Sequence, residues 1–237
     1  MSSAPPDPAL GVFETLLVRD GTAQALDAHL ARLAASVADL YGRLELPARL
    51  RATVQRHSAP LTGEHRLRVD AIPDGTGLRL QLQTSPLGLG ADARLVCRPV
   101  VVPGGLGRHK WSDRRRLAEL ADGTSVALLV DRDGDVLEAA WANLWLLEGT
   151  RLVTPPTDGR LLPGVTRATL LELAPSLGLE ARQEPISLAR ATAATEIFLT
   201  SSLRLAVPAT LADQQPTEGD LPQIKAIRAA LSRSGWG

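Results

Sequence analysis

Hydrophobic and polar positions follow two alternating periodicities along the chain, and the switches between them predict its elements. The apolar and β-branched run from Val12 to Arg19 predicts a strand, and Asp20-Gly21 predicts a tight hairpin turn into Thr22 to Ala25. Leu26, Leu30, Leu33, Val37 and Leu40 then recur at helical spacing, with Asp27 as the expected cap and Gly42 as the stop. Pro47 to His57 predicts a second helix. Arg66 to Ile72, Leu78 to Thr84 and Arg94 to Val102 read as strands, separated by Pro73-Asp74-Gly75 and by a loop from Pro86 to Gly90.

Beyond the glycine-rich stretch Val102 to Gly107, Ser112 to Leu120 predicts a helix stopped by Asp122-Gly123. Strands are expected at Val126 to Val130, Val136 to Glu138, Asn143 to Leu147 and Leu152 to Thr154, the last two linked through Glu148-Gly149-Thr150. Leu162-Pro163-Gly164-Val165-Thr166 is a turn into a helix over Arg167 to Leu177, with Leu170, Leu171, Leu173 and Ala174 facing inward. Glu196 to Thr200 reads as a buried strand, and residues 221 to 233 as an amphipathic helix. No internal repeat is visible. The order of elements predicts an α+β fold with an N-terminal domain over 1–102, a linker over 103–107 and a C-terminal domain over 108–237.

Composition narrows the function classes. The 237 residues are 44% hydrophobic with zero formal net charge, which suits a soluble globular protein. Equal acidic and basic counts and few aromatics argue against nucleic-acid binding, and no apolar run approaches membrane-spanning length. The opening residues Met1 to Pro8 lack a positive region and an apolar stretch, so neither signal peptide nor anchor is expected. The single cysteine, Cys97, lies in an apolar run and reads as a core residue in a reducing cytoplasm. No metal-ligand set is expected.

Of 26 basic residues only Lys110 and Lys225 are lysines. An arginine stays protonated, whereas a lysine amine can lose its proton, attack a carbonyl and hold a Schiff base. Lys225 sits in a helix pattern and reads as a solvated position, while Lys110 follows the flexible glycine stretch and opens Lys110-Trp111-Ser112-Asp113-Arg114. Four further features suit a phosphate-bearing pyridine aldehyde. Arg32, one turn after His29, is either a phosphate clamp or a solvated helix position. Gly164-Val165-Thr166 is either an anion site at a helix start or a plain cap. Thr200-Ser201-Ser202 supplies hydroxyls at a strand end, equally explained by turn chemistry. Glu138, ending an apolar strand, can keep a pyridine nitrogen protonated.

In this order the residues resemble the class IV, branched-chain-type, pyridoxal-phosphate aminotransferase and lyase family. The likeness runs through Val12-Phe13-Glu14-Thr15, Asp20-Gly21, His29-Leu30-Ala31-Arg32-Leu33, Lys110, Glu138 to Asn143, Pro163 to Arg167 and Glu196 to Thr200. The resemblance implies the two-domain fold type IV architecture, with a smaller N-terminal α/β domain and a larger β-rich C-terminal domain with flanking helices. It implies pyridoxal 5'-phosphate as cofactor, Lys110 as the Schiff-base lysine and proton carrier, and Glu138 at the pyridine nitrogen. Arg32, Val165, Thr166, Thr200 and Ser201 would hold the phosphate. A cytoplasmic homodimer acting on a small molecule is also implied.

Within the family, the spacing from Lys110 to Arg114 is similar to that of aminodeoxychorismate lyases, with Asp113 where they carry Asn. Those enzymes convert 4-amino-4-deoxychorismate to 4-aminobenzoate, a folate precursor, and pyruvate. Arg114 suits a substrate with two carboxylates, Phe13 is placed beside it as a substrate residue, and Arg98 or Arg108 can add charge. Glu14, where lyases often show Thr, keeps the alternative of an aminotransferase for D-amino or branched-chain amino acids.

Overall fold

The computed structural model describes residues 5–88, 94–212 and 221–234; residues 1–4 of the opening segment and Leu89 and Gly90 of the expected loop lie outside them. The described chain divides into two compact units, one of residues 5–88 and 109–119, the other of 94–108, 120–212 and 221–234.

The first unit is an antiparallel sheet covered by helices. Its strands are β1 (Val12–Arg19), β2 (Thr22–Ala23), β3 (Glu64–Asp74) and β4 (Gly77–Pro86), in the order β2-β1-β3-β4. Helices α1 (Leu26–Tyr41) and α2 (Leu50–Ser58) follow the expected pattern. Leu26, Leu33 and Val37 of α1 pack with Val12, Leu16 and Val18 of β1 and with Leu67, Val69 and Ala71 of β3 in one core. The expected cap is not formed. Ala25, in the left-handed region at φ 50°, precedes α1 with no side-chain cap, and Asp27 instead takes Arg51 of α2 at 2.7 Å. A short helix α3 (Arg115–Leu120) begins where Asp113 accepts the Arg115 backbone N–H.

The second unit holds a nine-stranded sheet in the order β10-β9-β8-β12-β13-β5-β6-β7-β11. Its members are β5 (Leu95–Val101), β6 (Val126–Val130), β7 (Asp135–Ala139), β8 (Asn143–Glu148), β9 (Arg151–Thr154), β10 (Glu180–Gln183), β11 (Ile186–Ser187), β12 (Glu196–Ser201) and β13 (Leu205–Leu211). Strands β7 and β8 stand far apart in that order yet are joined through the bridge Ala139↔Ala142, so the sheet must curl on itself. The curl encloses a core containing Leu128, Val136, Leu144, Leu146, Ile197 and Leu199. Outside it lie α4 (Val165–Leu173), α5 (Leu188–Ala193) and α6 (Pro222–Arg233), with Ile224, Ile227 and Leu231 of α6 buried.

Three expectations change. The strand at 95–101 pairs in parallel with β6 and β13, so it belongs to the large sheet and not to an N-terminal domain ending at 102. Residues 109–119 sit in the first unit, and the glycine-rich 103–107 segment is part of the second. Local pattern predicts a strand but not its pairing partner, and here the partners lie far along the sequence. The buried face of α4 comprises Val165, Thr166, Arg167 and Leu170, followed by Ala174, rather than Leu171 and Leu173. The pattern does not predict β13, because Pro208 interrupts it; the proline stands in register with Phe198 of β12 and lies outside the 209–211 stretch that pairs with β5.

Candidate active site

Lys110 is fixed by backbone to the start of β1. The Phe13 N–H donates to the Lys110 carbonyl at 2.9 Å, the Ser112 N–H donates to the Gly11 carbonyl at 3.0 Å, and Val12 pairs with Trp111. A segment that follows a flexible stretch is thereby held as tightly as a strand, with its lysine half-buried. The Lys110 Nζ lies 4.9 Å from the centroid of the Phe13 ring, and Arg114 approaches the same ring at 5.7 Å. Lys110, Phe13 and Arg114, expected on one site, are thus brought together.

A third cation joins them that the sequence did not reveal. Arg68 lies over the Phe13 ring at 3.8 Å. Its Nε and Nη2 donate to the buried Asp70 carboxylate at 2.8 and 2.5 Å, and the Ser112 hydroxyl donates to Asp70 at 3.1 Å. The register sets this up: Phe13 stands opposite Asp70, so Phe13, Arg68 and Asp70 share the face of the sheet turned away from α1. In sequence Arg68 is one polar position of an alternating strand.

The other face of β1 carries Glu14, which sequence reading treated only as a departure from a family pattern. Glu14 is 1% exposed and accepts Arg32 through both oxygens, at 2.8 and 2.7 Å, and the His29 Nδ1 at 2.7 Å. Burial raises the pKa of Glu14, but the Arg32 guanidinium and the hydrogen bonds from His29 and Arg32 outweigh it and hold it at about 2. Burial depresses His29 against the pull of Glu14. Arg32 is therefore no solvated helix position; it is oriented from below by a buried carboxylate.

These shifts give a pH dependence with a definite sign. Both groups bind protons less readily folded than unfolded, so the unfolded chain takes up more protons as pH falls. Stability should decline as pH drops below the ordinary histidine value of 6.5, and again below the ordinary 4.5 of Glu14 toward about 2. Thermal melts from pH 8 to 3 check this, and Glu14→Gln should make the decline below pH 4.5 shallower by the share that Glu14 contributes beside the other lowered carboxylates.

In the second unit the remaining residues gather around the loop before α4. Glu138, near the end of β7 and 6% exposed, accepts the Leu162 N–H with both carboxylate oxygens at 3.3 Å. The Leu162 carbonyl accepts Asn143 Nδ2 at 2.9 Å, so the backbone of one residue ties Glu138 of β7 to Asn143 of β8. Asn143 pairs in register with Thr200 at the end of β12. Thr200 is buried, and its hydroxyl oxygen accepts the Trp145 indole N–H at 3.0 Å, leaving its own O–H to donate elsewhere. Ser201, the last residue of β12, accepts the Arg204 N–H at 3.4 Å and so closes the turn that follows.

Gly164 is required by close approach rather than by backbone angle. A Cβ there would lie 1.8 Å from Asn143 Oδ1. Gly164→Ala should therefore displace Asn143 from Leu162 and cost about 1 to 3 kcal/mol, measurable by denaturant unfolding.

The first turn of α4 fits an anion. The Thr166 Oγ1 is buried without a partner, and the helix has neither a side-chain cap nor an acidic residue in its first turn. Its opening N–H groups, including those of Val165 and Thr166, have no intrahelical acceptors. Other expected charges fall elsewhere: Arg98 is held by Asp122 at 2.8 Å and by the Leu120 carbonyl, and Arg108 is exposed. Cys97 is fully buried in the core, where burial pushes its thiol up to about 12. Among the described residues no cluster of His, Cys, Asp or Glu is arranged for a metal, and no helix is long and apolar enough to cross a membrane.

The family described as Amino-transferase class IV matches residues 11–212. The chain belongs to this family. The aminodeoxychorismate lyase of Bacillus subtilis (strain 168) is 25% identical over 85% of this chain and 77% of its own length. A "Probable branched-chain-amino-acid aminotransferase" of Synechocystis is 29% identical over 46% of this chain, a match spanning only 36% of that relative. Among solved structures, the PLP-bound form of a "hypothetical aminotransferase" from Mycobacterium tuberculosis superposes with a TM-score of 0.84 at 24% identity, covering 99% of this chain and 94% of that one. As a class IV enzyme the chain has the mixed helix and strand architecture that its sequence implied.

Proposed function

We propose that this class IV enzyme is a pyridoxal-phosphate-dependent aminodeoxychorismate lyase, releasing 4-aminobenzoate and pyruvate from 4-amino-4-deoxychorismate. The observation that carries the reading is the cluster of Lys110, Arg68 and Arg114 around Phe13, an amine flanked by two guanidinium groups suited to a substrate with two carboxylates. The extent of the match to the Bacillus subtilis lyase supports it.

Pyridoxal phosphate, when bound, supplies an aldehyde for the substrate amine and a ring that accepts electrons. The α4 first turn, with the Val165 and Thr166 N–H groups and the unpartnered Thr166 hydroxyl, would hold the phosphate with Thr200 and Ser201, and the family resemblance adds Arg32 as a ligand. Glu138 would keep the pyridine nitrogen protonated. Lys110 anchors the cofactor and, as a free amine, removes the proton from the ring carbon bearing the substrate nitrogen. The electron pair left behind expels the neighbouring enolpyruvyl oxygen as the ring becomes aromatic, and protonation of the enol carbon gives pyruvate. Phe13 packs against the substrate ring while Arg114 and Arg68 hold its carboxylates. A cytoplasmic homodimer completes the proposal.

A second reading, an aminotransferase for D-amino or branched-chain amino acids, is favoured by the branched-chain relatives. One experiment separates the two. Purified, cofactor-loaded protein is incubated with freshly generated aminodeoxychorismate, and 4-aminobenzoate is measured against a borohydride-inactivated control. Enzyme-dependent 4-aminobenzoate is the expected result. No product, together with amino transfer from D- or branched-chain amino acids to a 2-oxo acid, sinks the lyase reading.

A further inference from the structure

Arg167 follows Thr166 on α4 and is 4% exposed, yet among the described residues its hydrogen-bond partners include no acidic group. Its Nε donates to Thr154 Oγ1 at 3.2 Å, and its Nη2 donates to the Pro155 carbonyl at 2.7 Å and to Gln183 Oε1 at 2.9 Å. All three acceptors are neutral. Two other arginines of this unit are treated differently: Arg160 is surrounded by Asp131, Asp135 and Asp158, and Arg190 is held by Glu148 and Glu184. Burial alone lowers the Arg167 guanidinium to about 10, so it remains a cation at neutral pH, and no counter-charge faces it among the described residues.

A buried charge that is hydrogen-bonded but not neutralised is costly. The same helical turn contains two further unmet demands of the same sign: the orphaned Thr166 hydroxyl, and N–H groups with no acidic residue beside them. A single dianion at the start of α4 would answer all three.

We infer that Arg167 is a positioning residue for the cofactor phosphate, acting by charge: its uncompensated cation supplies a standing field that a dianion at the first turn of α4 neutralises. The inference rests on the reading that this turn holds the phosphate. It does not require Arg167 to touch the ligand, because its donors already point to β9, the residue after it and β10. In protein surroundings of effective dielectric near 20, a unit charge about 10 Å from a dianion changes its affinity by about a hundredfold or more without salt and by roughly tenfold once physiological ionic strength screens it.

The test compares Arg167→Gln with Arg167→Lys, two shorter donors that differ in charge. Dissociation constants of the full-length apoprotein are measured for pyridoxal phosphate, for pyridoxal, which lacks the phosphate, and for inorganic phosphate. Arg167→Gln should weaken pyridoxal phosphate and inorganic phosphate by about tenfold relative to Arg167→Lys, with pyridoxal alike in both. If both variants weaken all three ligands equally, Arg167 only ties α4 to β9 and β10, and the inference is overturned. Should Arg167→Gln fail to fold, Arg167→Lys decides alone. A preference for pyridoxal phosphate over pyridoxal equal to that of wild type supports the charge role, and collapse of that preference overturns it. Failure of the phosphate reading itself shows separately, as a wild-type protein that binds pyridoxal phosphate no better than pyridoxal.

Discussion

Lys110→Ala is expected to lower turnover by roughly 10⁴-fold or more, since it removes both the covalent anchor of the cofactor and the base that moves the substrate proton. Borohydride reduction should attach cofactor to the wild-type chain and not to this variant, as intact-mass measurement would show. Lys225→Ala is the control. Lys225 lies on an exposed position of α6, and its loss should leave both mass shift and rate unchanged. A Lys110→Ala protein with wild-type turnover removes the foundation of the proposed chemistry. Because Lys110 is fixed through its backbone carbonyl to Phe13, the substitution should leave the first unit folded, and a thermal midpoint within a few degrees of wild type would show that the lost rate is chemical.

Glu138→Ala should lower kcat by about 10²- to 10³-fold while leaving the dissociation constant of pyridoxal phosphate within a few-fold of wild type. The two quantities separate because Glu138 serves the ring, while the α4 turn and Thr200 serve the phosphate. Its carboxylate also receives the Leu162 N–H, so part of the effect could come from a shifted loop. Glu138→Gln resolves this. The amide oxygen can still accept from Leu162, but it cannot hold a proton on the pyridine nitrogen, so Gln should be nearly as slow as Ala. Recovery of most of the rate by Gln would mean that Glu138 acts by supporting the loop.

Of the residues behind these expectations, Lys110 and Glu138 stood out in the sequence, as did the Gly164-Val165-Thr166 turn. Each owes its visibility to short-range pattern: a lysine in an arginine-rich chain, a carboxylate ending an apolar strand, a glycine turn opening a helix. Arg68 and Glu14 did not stand out. Arg68 gains meaning only because β1 and β3 pair with Phe13 opposite Asp70, 57 positions further along the chain. Glu14 gains it only because the face of β1 that carries it is covered by α1.

The sequence by itself determined the positions of most strands and helices, because periodicities of about 2.0 and 3.6 residues are local and survive without a partner. It also carried the family likeness, through motifs whose order along the chain needs no folding to read. The tertiary structure alone decided that β5 joins the large sheet, that the Lys110 segment is stitched to β1, and that Arg167 is buried among neutral acceptors. Strand pairing and burial are set by contacts between distant segments, where backbone hydrogen bonds carry no residue identity, so one local pattern is compatible with several partners until the whole core is packed.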